Sequence, residues 1–255
     1  MSKKGIIFSI IGLVVVLILL LVVLLFGLFG NLNFSFKNEY KKVVFEKTYT
    51  DINNIDIDTN IANIYIKKST TDEYKVEIAS KEKYVDVKND DNDLTINVKG
   101  PKCKFMCLNT KASRVTIYIP SNYDKKITAN LDMGDLRVEN FKKLKLEVDN
   151  DMGDVKVDGV SSLTGKVSMG DFKIKKVYDY INIKNNMGDV KIKDLTITKN
   201  SSIKSNMGDI KIEKTNNIYI DAHTSMGDTK VKKNDRKGKY SLTIKNDMGD
   251  IKVNY

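Results

Sequence analysis

The sequence predicts an all-β fold: a β-solenoid, single-stranded and parallel β-helix-like, with coils of about 17–22 residues and one transmembrane α-helix ahead of it. Three observations predict it. The tripeptide Met-Gly-Asp occurs seven times in the last half of the chain. The copies begin at Met133, Met152, Met169, Met187, Met207, Met226 and Met248, in steps of 19, 17, 18, 20, 19 and 22 residues. Apolar residues alternate on both sides of the copies, and Gly5 to Phe29 is a run of 25 residues without a charge.

Residues 1–4 form a short basic tail carrying Lys3 and Lys4. Residues 5–29 are long enough, at about 1.5 Å per residue, to cross a bilayer with some tilt, and are read as an uncleaved signal anchor. The apolar run is too long for a cleaved signal peptide, and no small-x-small site follows it. Lys37, Lys41 and Lys42 follow the span closely, so the positive-inside count barely discriminates orientation. The short basic leader favours a single-pass cell-membrane protein with the bulk of the chain extracellular. Residues 30–42 are a polar tether.

Residues 43–125 read as an irregular β section that opens the same solenoid. Tyr74–Ile78, Leu94–Val98 and Val115–Ile119 alternate with strand spacing, and Asn89–Asp93 marks a turn. Ile55 and Ile57, then Ile61-Ala62-Asn63, then Ile64 and Ile66 form a decayed copy of the repeat, with Ile where Met stands elsewhere. Cys103 and Cys107 follow Pro101. Fully extended they would lie roughly 13 Å apart, so a disulfide needs a folded loop. A local disulfide is the favoured reading and free thiols the alternative, since two sulfurs without a nearby His make only half of a zinc site.

Residues 126–255 are the regular repeats. Before each Met, apolar residues recur at six and four positions (Leu146 and Val148, Ile181 and Ile183). After it they recur at three and five (Val155 and Val157, Ile210 and Ile212). This is strand alternation on both sides with a change of phase between, and extending the leading strand's parity places Met on the inner face. The corner falls on Gly134-Asp135, Gly153-Asp154, Gly170-Asp171, Gly188-Asp189, Gly208-Asp209, Gly227-Asp228 and Gly249-Asp250. Gly accepts the backbone angles of a corner and Asp bonds nearby backbone groups. A further apolar position eight residues on (Phe141, Val160, Val177, Leu195) suggests another corner or a short third strand.

Four residues after each Met stands Arg137, Lys156, Lys173, Lys191, Lys211, Lys230 or Lys252. This column faces out beside the Asp column. It reads either as a charge-balanced solvated face or as a stripe for an anionic partner. Lys232, Lys233, Arg236 and Lys237 lie in a basic loop before the last copy, with the same two readings. The last coil, ending at Tyr255, could leave an open strand edge for self-association.

The chain carries a net charge of +10, but a membrane-anchored external domain makes nucleic acid an unexpected partner. Its one histidine, His223, sits at an outward position, and no Ser-His-Asp or Cys-His set can be assembled. No metal and no cofactor are expected. The Asp column lacks the Gly-Gly-x-Gly-x-Asp pattern of calcium-binding repeats.

The anchor, the decayed copy at Ile55 to Ile66, the strand closing in Ile117-Tyr118-Ile119-Pro120 and the Gly-Asp-apolar-Lys-apolar steps together resemble a known family. It is the bacterial putative-adhesin family of β-strand-repeat proteins. The resemblance covers roughly residues 44 to 255. It implies the β-repeat fold and, for some members, membrane anchoring and association with envelope-stress operons; it supplies no catalytic residues. The function expected is a non-enzymatic surface protein, an adhesin or envelope-binding scaffold for anionic cell-envelope polymers or other envelope proteins. A regulatory membrane protein of an envelope-stress system and a polysaccharide-active β-helix enzyme are the alternatives.

Overall fold

The computed structural model describes residues 39–100 and 111–254, which fall within one compact unit, Ser35–Tyr255. The apolar run Gly5 to Phe29, most of the tether and the Cys103 and Cys107 pair lie outside the described residues. Among the described residues no helix is long and apolar enough to cross a membrane.

Strands dominate. In chain order they are β1 (Val43–Tyr49), β2 (Ile55–Lys68), β3 (Tyr74–Ala79), β4 (Val85–Asp90), β5 (Asp93–Val98) and β6 (Ser113–Ile119). Then come β7 (Lys126–Met133), β8 (Leu136–Met152), β9 (Val155–Met169), β10 (Phe172–Met187), β11 (Val190–Leu195) and β12 (Ser201–Met207). The last are β13 (Ile210–Thr215), β14 (Tyr219–Met226), β15 (Thr229–Val231), β16 (Ser241–Met248) and β17 (Ile251–Val253). The single short 3₁₀ turn among the described residues is Glu82–Tyr84.

The strands stack in parallel and in register, so like residues of successive coils are neighbours. Leu146 lies on Leu163, Ile183 on Ile203, and Met133 on Met152. The side chains before and after the corner bury one continuous core. Ile181, Ile183, Val190, Ile192 and Leu195 are all at most 1% exposed. Burial on this scale is the main favourable term, and a single coil could not supply it. Phe141, Val160, Val177 and Leu195 are buried as well. They do not form a separate third strand: β8, β9 and β10 run on through a register shift, such as that between Phe141 and Lys145.

Both ends depart from sequence order. β2 sits between β5–β6 on one side and β7–β8 on the other, although β5 and β6 come later in the chain. That outer end is closed by antiparallel strands: β4 on β5, β3 on β6 and β1 on β3. The opening section is thus a coil pair with its own cap, continuous with the regular coils. At the other end the final coil, β16–β17, is inserted between β12–β13 and β14–β15. The 22-residue step before Met248 gives the chain the length to return.

This corrects the expectation that the C-terminal coil leaves an open edge. β16 and β17 are paired on both sides, and the outermost strands are β14 and β15. The loop between β15 and β16 folds back over part of that edge. Asn234 Oδ1 accepts from Ile220 N–H at 2.8 Å while its Nδ2 donates to Ile220 O at 2.8 Å. The amide thereby imitates one rung of a neighbouring strand, a way of blunting an exposed edge.

The methionines are also corrected. Their side chains do not line the interior: Met169, Met187 and Met248 are 37–38% exposed and Met226 is 65% exposed. Burial follows the leading strand as far as two positions before the Met and then stops. The interior of the bend is occupied by that earlier residue: Leu131, Asn150, Val167, Asn185, Ser205 and Asn246 are each at most 3% exposed. Asn150 Nδ2 donates to Gly134 O and Gly153 O, each at 3.0 Å, and Asn246 Nδ2 to Gly208 O at 2.9 Å. Where this residue is Asn, its amide donates to corner carbonyls that a thioether could not satisfy, while Leu131 and Val167 fill the same place with apolar bulk. The methionines instead form an in-register column along the outside of the bend.

Candidate functional site

The corner itself explains why Gly and Asp recur. All seven Met-Gly-Asp glycines have φ between 122° and 145°, which favours glycine. A Cβ on Gly188 would lie 2.1 Å from the carbonyl oxygen of Gly170, backbone against backbone. The decayed copy has Ala62 in this place, and β2 passes through it without a break.

At each corner the Asp N–H faces the adjacent coil, and at six of the seven a carboxylate receives it. Asp154 N–H donates to Asp135 Oδ1 (3.1 Å), Asp171 to Asp154 (3.1 Å), Asp189 to Asp171 (2.9 Å) and Asp209 to Asp189 (3.0 Å). The ladder then follows the spatial order, with Asp250 donating to Asp209 (3.0 Å) and Asp228 to Asp250 (3.1 Å). At the other end Asn63 Oδ1 accepts from Asp135 N–H at 2.9 Å, so the decayed copy performs the same task with an amide.

The second carboxylate oxygen meets the basic column. Lys156 pairs with Asp154, Lys191 with Asp189, Lys211 with Asp209 and Lys252 with Asp250, at 2.8–3.3 Å. Lys173 bridges Asp171 and Asp154, and Arg137 lies 3.5 Å from Asp135. Lys230 has no ion pair among the described residues and stands on the outermost coil. Burial raises the Asp189 pKa, but the Lys191 hydrogen bond and the Asp209 N–H outweigh it and hold the carboxyl below its ordinary value. Asp154 is held down in the same way against its burial, through Lys173 and the Asp171 N–H. Asp209 is lowered first by Lys211 and Asp250 first by the Asp228 N–H. The basic column that the sequence marks for polyanion contact is therefore largely engaged by its own carboxylates.

Lys232, Lys233, Arg236 and Lys237 are exposed in the returning loop. They lie on the connection that carries the chain to β16, beside Asn234.

A second basic column, three residues before the Met, escapes a reading centred on the residues after it. In spatial order it runs Asp58, Asn130, Asp149, Lys166, Lys184, Lys204, Lys245 and His223. Asp58 pairs with Lys99 and Asp149 with Lys166. Lys184, Lys204 and Lys245 are exposed and have no ion pair among the described residues. The three rungs are adjacent only because the last coil is inserted: in chain order His223 would separate Lys204 from Lys245. Parallel rungs lie about 4.8 Å apart, and like charges at that distance repel by about 0.9 kcal/mol per neighbouring pair even at the dielectric of water. Acids stand beside these three rungs only at Lys245, next to Asp247 and Asp221. Next to Lys184, on the side toward the cap, an open groove of about 330 Å³ is lined by residues including Glu147, Asp149, Thr164, Gly165, Lys166 and Asn182.

Among the described residues no three His, Cys, Asp or Glu side chains converge as a metal site. His223 is exposed on β14. Six of the seven corner carboxylates, all but that of Asp228 on the outermost coil, are committed to backbone N–H groups, so they are structural first.

The family model described as Toastrack DUF4097 matches residues 52–255. No curated protein matches the chain. Among solved structures the chain is similar to a putative cell adhesion protein from Clostridium sporogenes, at 15% identity over 83% of this chain and 99% of that one, with a TM-score of 0.41. It is also similar to a putative adhesin from Bacteroides fragilis (17% identity, 84% and 97% covered, TM-score 0.44). A third is a putative lipid binding protein from Parabacteroides distasonis (12% identity, 83% and 95% covered, TM-score 0.42).

Proposed function

The chain belongs to the Toastrack DUF4097 family, and from that premise we propose that it is a membrane-anchored bacterial surface protein. Its external solenoid serves as an adhesin-like scaffold that binds envelope components, without catalysis. The observation that carries this reading is the uniformity of the corner ladder. Six of the seven corner carboxylates, all but that of Asp228, do the same structural work, each accepting an N–H from the next coil. A catalytic centre requires a local exception with a nucleophile or acid–base pair set apart from its repeats. A stack of like coils offers long columns of repeated chemistry instead, which suits extended partners. The uncharged run Gly5 to Phe29 supports a single-pass anchor, and the short basic leader with Lys3 and Lys4 favours the solenoid outside.

Two measurements test it together. Protease added to intact cells should digest the solenoid, and purified full-length protein in neutral detergent should retain isolated envelope fragments without altering them. Release of glycan fragments by the protein, or protection of the solenoid until the cells are opened, would overturn the reading.

A further inference from the structure

We propose that the exposed face carrying Lys184, Lys204 and Lys245 binds a linear phosphate-bearing polyanion lying along the stacking direction of the coils. This deepens the scaffold reading and rests on it, naming the surface and the partner's chemistry.

Three observations converge. First, the protein pairs most of one basic column and leaves three successive rungs of another bare. Lys156, Lys173, Lys191, Lys211 and Lys252 all meet carboxylates, whereas Lys184, Lys204 and Lys245 meet none among the described residues. A column of like charges without counter-ions is unfavourable for the fold alone, and an external polyanion would relieve it. Second, the lysines are in backbone register, Lys184 on Lys204 and Lys204 on Lys245. The row runs across the strands, parallel to the stack, with one charge per coil at about 4.8 Å. A flexible chain bearing an anion on each unit can follow such a row, and the long lysine stems absorb a mismatch in spacing. Third, the flanks are mostly uncharged hydrogen-bonding groups. Asn182, Ser202 and Thr243 lie on one side, and Asn186 and Asn206 on the other. Amides and hydroxyls there can bond to phosphate oxygens or to hydroxyls of the polymer. Acids close the row at its far end, where Asp247 and Asp221 stand beside Lys245 and His223, and Glu147 and Asp149 line the groove beyond its near end. At the near end Lys166 is already held by Asp149, so the free row has defined limits.

The test uses the full-length chain in neutral detergent, with linear inorganic polyphosphate as the probe. Wild-type protein should bind long polyphosphate, with orthophosphate a poor competitor. The triple variant K184Q/K204Q/K245Q should bind at least tenfold more weakly, and the slope of log K against log salt should fall by about two, three lysines at about 0.7 each. K191Q/K211Q/K252Q removes the same charge from the carboxylate-paired column and should bind within about threefold of wild type. Circular dichroism establishes that both variants are folded. Equal loss in the two variants would show attraction to net charge alone and overturn the proposal. So would binding to phosphatidylglycerol vesicles, lost in the first variant, without binding to polyphosphate, because that marks a membrane surface. If polyphosphate is ignored while envelope fragments are still retained, the inference falls and the scaffold reading stands; if neither is bound, both fall.

Discussion

Replacing Gly188 with Ala should destabilise the solenoid severely. The residue has φ 130°, and an L side chain in this region costs about 1–2 kcal/mol. The new Cβ would also lie 2.1 Å from the Gly170 oxygen and 2.7 Å from its carbon, where ordinary contact begins at 3.4 Å. Neither partner is a flexible side chain, so the coils must part locally by more than an ångström. Three hydrogen bonds span that seam: Asp189 N–H to Asp171 Oδ1, Gly170 N–H to Met187 O and Phe172 N–H to Asp189 O, each at 2.9 Å. At about 1 kcal/mol each they bring the total to roughly 4–5 kcal/mol, a large share of the about 5–15 kcal/mol that holds a domain folded. Thermal denaturation of the full-length protein, followed by circular dichroism, reads this as a fall in midpoint of roughly 8–20 °C. Gly159→Ala is the control. Its Cβ meets the side-chain oxygen of Asn140 at 2.2 Å, which can rotate away, so the loss should stay below about 1.5 kcal/mol. A Gly188→Ala protein within about 1 kcal/mol of wild type would refute the close backbone packing at the corner.

Asp189→Ala leaves the Asp209 N–H without its acceptor and should cost about 1–3 kcal/mol, whereas Asp189→Asn keeps an acceptor and should recover part of it; chemical denaturation of both variants checks this. The carboxyls of Asp154, Asp189 and Asp209 are held below their ordinary value in the folded chain. Their contribution is therefore complete above the unfolded value of about 3.9 and lost as pH falls through the depressed folded values. Urea midpoints should be level from pH 7 to 5 and drop below about pH 4, and a midpoint independent of pH down to 2 would contradict the ladder. Met187→Gln should change stability by less than about 1 kcal/mol, since the side chain is 38% exposed; a loss of 3 kcal/mol would restore the interior reading. Asn234→Ala uncovers Ile220 on the β14 edge and should increase association in analytical ultracentrifugation, with no change for Asn206→Ala.

Much of this fold is written in short-range chemistry. The period of Met-Gly-Asp sets the coil, the alternation around it sets the core, and Ile55 to Ile66 betrays a coil without the motif. The Gly and Asp of the corner are legible because each meets a local need, backbone freedom in one case and a hydrogen-bond acceptor in the other. The Met is not legible from parity, because the alternation that governs Ile181, Ile183 and Asn185 ends where the turn begins. Coil order is not local either. Whether Lys204 neighbours His223 or Lys245 depends on which strands pair across the stack, and identical rungs make both pairings chemically plausible. Only the long step before Met248 and the Asn234 loop hint at the return. The lysine column before the Met could have been found by asking which repeated bases lack a repeated acid nearby, but its continuity could not.

The insertion of the last coil governs both the fold and the proposed binding row, and cross-linking tests it most directly. In a background with Cys103→Ser and Cys107→Ser, cysteines would replace Lys204 together with either Lys245 or His223. Each full-length protein would then be treated with a short bifunctional thiol reagent. Adjacent coils place the first pair about 4.8 Å apart and the second about twice that. Efficient intramolecular linkage of the Lys204→Cys/Lys245→Cys protein, with little in the Lys204→Cys/His223→Cys protein, is the predicted result; the reverse pattern would show coils stacked in chain order and contradict it.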